Sequence, residues 1–160
     1  MKKKKFKIWK KIKVNHKNLK SCLNDLKKKG FELSPWISNI FNNKKNNIKY
    51  SKSKFYLYRI KVKDLGFKKA TKLKFIYKSL KNNKFKLVPP DVALRARFVY
   101  NTQKKGEWLR FATPMRSMID TDGVPHLPKL GCALGKYFIE TYWAYPHAIF
   151  HPHNEFVVTK

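Results

Sequence analysis

Phe55-Tyr56-Leu57-Tyr58-Arg59-Ile60-Lys61-Val62-Lys63 is the stretch whose reading decides the fold class. It is aromatic and β-branched, and Ile60 and Val62 alternate with Lys61 and Lys63, which is the two-residue period of a strand with one buried face. Asp64-Leu65-Gly66 then turns the chain. Just downstream, Leu73, Ile76, Tyr77 and Leu80 shift the apolar period to that of a helix, so residues 72–82 are predicted helical with Thr71 as cap. Pro89-Pro90-Asp91 predicts a short helical turn, because proline suits a first turn and an acid suits the positive helix end. Beyond Arg95, strands are predicted at 97–101, 107–113, 136–143 and 155–159, with 102–106 as a hairpin loop and Asp120-Thr121-Asp122-Gly123 as a turn. Strand, helix, short helix and about four strands read as an α+β fold, an antiparallel sheet of about five strands packed by one or two helices.

Upstream of residue 55, Leu19, Cys22, Leu23 and Leu26 share one face of a helix predicted over 17–29, and Gly30 stands where such a helix ends. Ser34-Pro35 is a helix start, with Trp36, Ile37, Ile40 and Phe41 as its apolar face. The Asn-, Lys- and Ser-rich residues 42–54 read as a linker. The expected organisation is therefore a basic helical extension over 1–50 and an α+β domain over 51–160.

Charge is distributed unevenly. Of the formal +29, residues 1–86 carry +26 and residues 87–160 carry +3. Lysine outnumbers arginine 33 to 5. A coding bias toward AT-rich codons would raise lysine, but it does not explain why lysines avoid the second half. Such a field attracts a polyanion. The expected partner is nucleic acid, RNA before DNA, bound through the backbone by Lys5, Lys7, Lys10, Lys11, Lys13, Lys27, Lys28, Lys61 and Lys63, with Trp9 stacking on a base. Two cysteines 110 positions apart, Cys22 and Cys132, form no CxxC pair and read as reduced thiols of a cytoplasmic protein. No apolar run approaches the ~20 residues of a spanning helix. Met1–Lys5 looks like the basic start of a signal peptide, but lysines interrupt the apolar residues that follow.

The runs IKVKDLGF (60–67), LVPPDV (87–92), GEWL (106–109) and DTDG (120–123) resemble a set of small bacterial proteins. In that set a DLG turn precedes a helix, followed by a proline-led segment, GEWL and an acidic DxDG turn. The resemblance covers residues 55–160 and implies a self-contained domain of bacterial or phage origin. It implies no activity.

Four of the five arginines are Arg95, Arg97, Arg110 and Arg116. A guanidinium kept in a lysine-biased chain points to a planar, bidentate donor. Arg97 and Arg110, with Glu107 and His126, are the candidate catalytic residues of an RNA-cleaving site, Lys129 beside them: cations steady the phosphate while Glu or His moves protons. His147, His151 and His153 are the metal candidates, but Pro146 and Pro152 make their segment a loop and the spacing matches no known finger, so no cofactor is expected. Asp120-x-Asp122-Gly123 resembles the start of a calcium loop, yet Gly131 stands where its closing glutamate belongs. The leading expectation is a nucleic-acid-binding protein. A small endoribonuclease of the toxin class and a non-catalytic domain docking an acidic protein partner are the alternatives.

Overall fold

The computed structural model describes residues 4–160; residues 1–3, part of the basic start, lie outside the described residues. The strand signals group into one mixed seven-stranded sheet. Its members in chain order are β1 (Lys10–Ile12), β2 (Glu32–Leu33), β3 (Phe55–Lys61), β5 (Trp108–Phe111), β6 (His126–Ala133), β7 (Lys136–Trp143) and β9 (Glu155–Val158), arranged β1-β3-β9-β5-β6-β7-β2. The β9–β5 and β7–β2 pairs are parallel and the rest antiparallel. A separate ribbon joins β4 (Thr71–Lys72) to β8 (Ile149–Phe150). The class is α+β. The sheet is wider than the five antiparallel strands expected, because β1, β2 and β6 escape sequence patterning. The first two are only three and two residues long, and β6 carries Pro128 and Gly131, both poor strand residues.

Each face of the sheet is covered. On one, Leu57, Leu109, Leu130, Ile139 and Val157 pack with α1 (Leu19–Lys28), α2 (Pro35–Asn42) and α4 (Asp91–Val99). On the other, Ile60, Leu127, Phe156 and Val158 pack with Leu73, Ile76, Tyr77 and Leu80 of α3 (Leu73–Asn82). Ser34 caps α2 by accepting from the Ile37 N–H at 3.3 Å, as its sequence predicts. At α3 the cap differs: Thr71 pairs in β4, and Lys72 precedes the helix without a side-chain cap.

The strand expected at 97–101 is instead the end of α4. Residues 91 to 97 are all buried, and a helix buried all round shows no apolar stripe to betray its period. The two-residue spacing that would put Arg95 and Arg97 on one strand face therefore places them on different sides of a helix.

From residue 10 onward, the segment expected as an extension supplies the two outermost strands and two helices, and Ile12, Cys22, Leu26, Ile37 and Ile40 join the core that holds Leu109 and Ile139. Asp91 and Arg95 tie residues 13–53 to α4. The buried Asp91 carboxylate accepts from the Ser51 N–H and hydroxyl at 2.8 Å each, and Arg95 donates to the carbonyls of Lys13, Ser51 and Ser53. Burial raises the Asp91 pKa against the Ser51 hydrogen bonds that lower it. The predicted linker is also held: Tyr50 is buried, and the Asn46 amide bridges the carbonyls of Ile40 and Ile119. Among the described residues, no helix is long and apolar enough to cross a membrane.

Candidate nucleic-acid interface

Where β9 enters between β3 and β5, the sheet opens into a cavity of about 370 Å³ lined by Arg59, Glu107, Trp108, Arg110, His153 and Glu155 among others. Antiparallel pairing sets Arg110 of β5 opposite Lys129 of β6, and Lys129 opposite Glu140 of β7. Aromatic rings position both cations. The Arg110 guanidinium sits 5.2 Å from the Tyr142 ring and 5.6 Å from that of Phe150, while the Lys129 ammonium lies 4.5 Å over Trp108 and 5.5 Å over Tyr142. Neither approaches a carboxylate within 4 Å among the described residues, and Arg110 Nε is buried with no hydrogen-bond partner. Burial lowers the Arg110 pKa, opposed by Tyr142. Lys129 is lowered by burial and then by the Arg110 charge, with Glu140 opposing.

The acids of the same cavity are already engaged. Arg59 donates from Nε to Glu155 at 2.6 Å, from Nη1 to the Tyr100 hydroxyl at 3.1 Å and from Nη2 to Glu107, which also accepts from the Tyr100 hydroxyl. Burial alone would lower the Arg59 pKa, but the two carboxylates outweigh it and raise it. Arg59 organises this cluster and was not among the candidates. Its signal was a lone arginine in a strand whose other cations are lysines.

The four candidate catalytic residues occupy three places. Glu107 and Arg110 share the cavity just described. Arg97 is wholly buried in α4, where Nη1 donates to Gln103 Oε1 at 2.7 Å and to the Gly131 carbonyl at 3.3 Å, and Nη2 donates to the Tyr100 carbonyl. Its guanidinium lies 4.7 Å from the Tyr137 ring, and burial pushes its pKa down to about 10. His126 belongs to a separate cavity of about 480 Å³ with Trp36, Thr141 and Trp143. There Asp120 Oδ2 stands 2.9 Å from His126 Nε2, and Thr141 Oγ1 stands 3.0 Å from Nδ1. Burial would raise the Asp120 pKa, but the hydrogen bonds from His126 and from the Val124 and Asp122 N–H groups outweigh it and hold the carboxyl low. An ionised carboxylate only accepts, so Nε2 carries the hydrogen in the contact with Asp120.

Of the metal candidates, His151 and His153 stack on each other at 5.7 Å and His147 stacks on Tyr145 at 5.2 Å. Among the described residues, no group of three or more His, Cys, Asp or Glu side chains is placed to hold a metal ion. Lys5, Lys7, Lys11, Lys13, Lys27, Lys28, Lys61 and Lys63 are exposed and Lys10 is half-buried. Trp9 is engaged within the fold, edge-on to Tyr100 at 4.8 Å with the Arg59 guanidinium 5.4 Å from its ring. No family model, curated protein or solved structure matches this chain.

Proposed function

We propose that the protein binds RNA through its phosphate backbone. One observation carries this reading: of the 33 lysines, only Lys4, Lys29, Lys61 and Lys136 come within 4 Å of a carboxylate among the described residues. Lysines without acidic neighbours are not spent on internal ion pairs. They present a field to which a polyanion responds by releasing its counterions. Affinity for single-stranded RNA, compared with DNA of the same sequence, measured between ~50 and ~200 mM salt tests it; contacts to several phosphates give a fall of orders of magnitude, and a flat response rejects it.

A second reading is favoured by one grouping. Glu107, Arg110 and His153 line the same cavity, so a carboxylate, a guanidinium and an imidazole meet where a phosphodiester could enter. A small endoribonuclease would use that set. Incubation with RNA tests it, with intact RNA after prolonged exposure to the wild-type protein rejecting cleavage while leaving binding unaffected.

A further inference from the structure

We propose that Arg110 and Lys129 form a seat for a single phosphate group of a nucleic-acid chain, a specific site within the RNA-binding reading on which it rests. The argument begins with a cost. Two like charges face each other across the β5–β6 ladder, both partly withdrawn from water and neither with a carboxylate within 4 Å. The ring contacts and Glu140, cross-strand from Lys129, offset only part of that cost, since both cations remain disfavoured by burial. A bound anion offsets the repulsion and gives an acceptor to the Arg110 guanidinium, which makes no hydrogen bond among the described residues and whose Nε is buried without a partner.

Geometry narrows the class of anion. The guanidinium lies against Tyr142 and Phe150, whose rings also touch each other, so its planar fork is held before any ligand arrives. A fork of N–H donors matches the oxygens of a phosphate. Trp108 carries Lys129, adding a point charge on the neighbouring strand. The adjoining cavity of about 370 Å³ has room for a phosphate, with His153 and Asn154 lining it. Glu107 and Glu155 line it too and would repel an anion if free, but Arg59 pairs with both and Lys61 lies 3.9 Å from Glu155, so two cations balance the two carboxylates. The seat therefore rests on the cations of β5 and β6, while the exposed lysines supply the diffuse attraction that brings a chain toward it.

The test uses the full chain and a short single-stranded RNA followed by fluorescence anisotropy. R110Q and K129Q are expected to weaken binding by about tenfold or more. K136Q, which removes an exposed lysine already paired to Glu32 at 3.1 Å and so outside the free-lysine field, is expected to change it by less than about twofold. Circular dichroism and thermal melting verify that each variant folds. R110K is the second variant at Arg110: it keeps the charge, removes the fork, and is expected to bind as weakly as R110Q. In a parallel titration, inorganic phosphate quenches tryptophan fluorescence of the wild type and not of R110Q. If RNA binds the wild type but R110Q and K129Q match K136Q, the seat is overturned and the RNA reading stands. If the wild type shows no salt-dependent RNA binding, the RNA reading falls and the seat falls with it as a nucleic-acid site; phosphate quenching that depends on Arg110 would then identify free phosphate as the ligand.

Discussion

The Trp108 indole lies against Gly131, so close that a Cβ placed on Gly131 would stand 2.1 Å from Cζ3 of the ring. The two residues are cross-strand partners, and Gly131 has no left-handed backbone to explain its glycine. Its role is room. G131A forces the indole aside, with an expected loss of about 1–3 kcal/mol in urea unfolding. Because Trp108 carries Lys129, the shift also disturbs the ammonium. In W108A the ring is absent, so adding G131A should cost well under that amount. Full additivity of the two substitutions would contradict the contact.

Arg97 and Arg110 separate a structural arginine from a ligand-facing one. R97A removes the donor to Gln103 and to three backbone carbonyls, those of Tyr100, Gly131 and Phe138, in a fully buried place. Each orphaned acceptor costs roughly 1–3 kcal/mol, so unfolding free energy should fall by about 3 kcal/mol or more. R110Q leaves no such orphans, since Arg110 Nε has no partner to lose. Chemical denaturation of both variants should therefore show the larger loss for R97A.

Asp120 gives the fold a defined acid sensitivity. Its carboxyl is held below the ordinary carboxylate range, so the unfolded chain binds a proton at a pH where the native protein does not. The stabilisation is complete above the free-chain value near ~4 and drains away as pH falls through the lower native value. D120N should lower the urea midpoint at pH 7 and flatten its decline below about pH 4. A parallel decline in both proteins would show that Asp120 does not contribute.

Cys22 should be silent toward thiol reagents. Burial, reinforced by Asp91, pushes its thiol up to about 12, and its side chain is wholly inside the main core. The thiolate is the reactive form. A disulfide reagent at pH 8 is expected to modify Cys22 only after denaturant is added, and mass spectrometry of the labelled peptide would locate the adduct.

How far the sequence revealed this molecule depends on how each element is buried. Helices α1, α2 and α3 were legible because each has one wet face, and Leu19, Leu23 and Leu26 or Leu73, Ile76, Tyr77 and Leu80 mark the dry one. Strand β7 was legible over its full length, and β3 and β9 within a residue or two at one end. The start of α4 was legible at Pro89-Pro90-Asp91, but its run to Val99 was hidden by the burial of residues 91 to 97, and β6 was hidden by its proline and glycine. Of the cavity, Glu107 and Arg110 could be singled out as rare residues in a lysine-rich chain. Arg59 and His153 could not be joined to them, because they meet only through a β3–β9–β5 adjacency of strands far apart in sequence.

That adjacency bears on how the chain reaches its native state. The β1–β3 and β5–β6–β7–β2 parts of the sheet are joined through β9, which lies between β3 and β5, and Arg59 on β3 must wait for Val157, nearly a hundred residues later, to be paired. Until β9 inserts, β3 and β5 each present a bare edge, and the guanidinium of Arg59 lacks Glu155 as a partner. Pairings of such long range close slowly, because chain entropy is lost before the contacts form. The entry of one four-residue strand thus joins the two parts of the sheet, and the same strand completes the cavity that Arg110 lines.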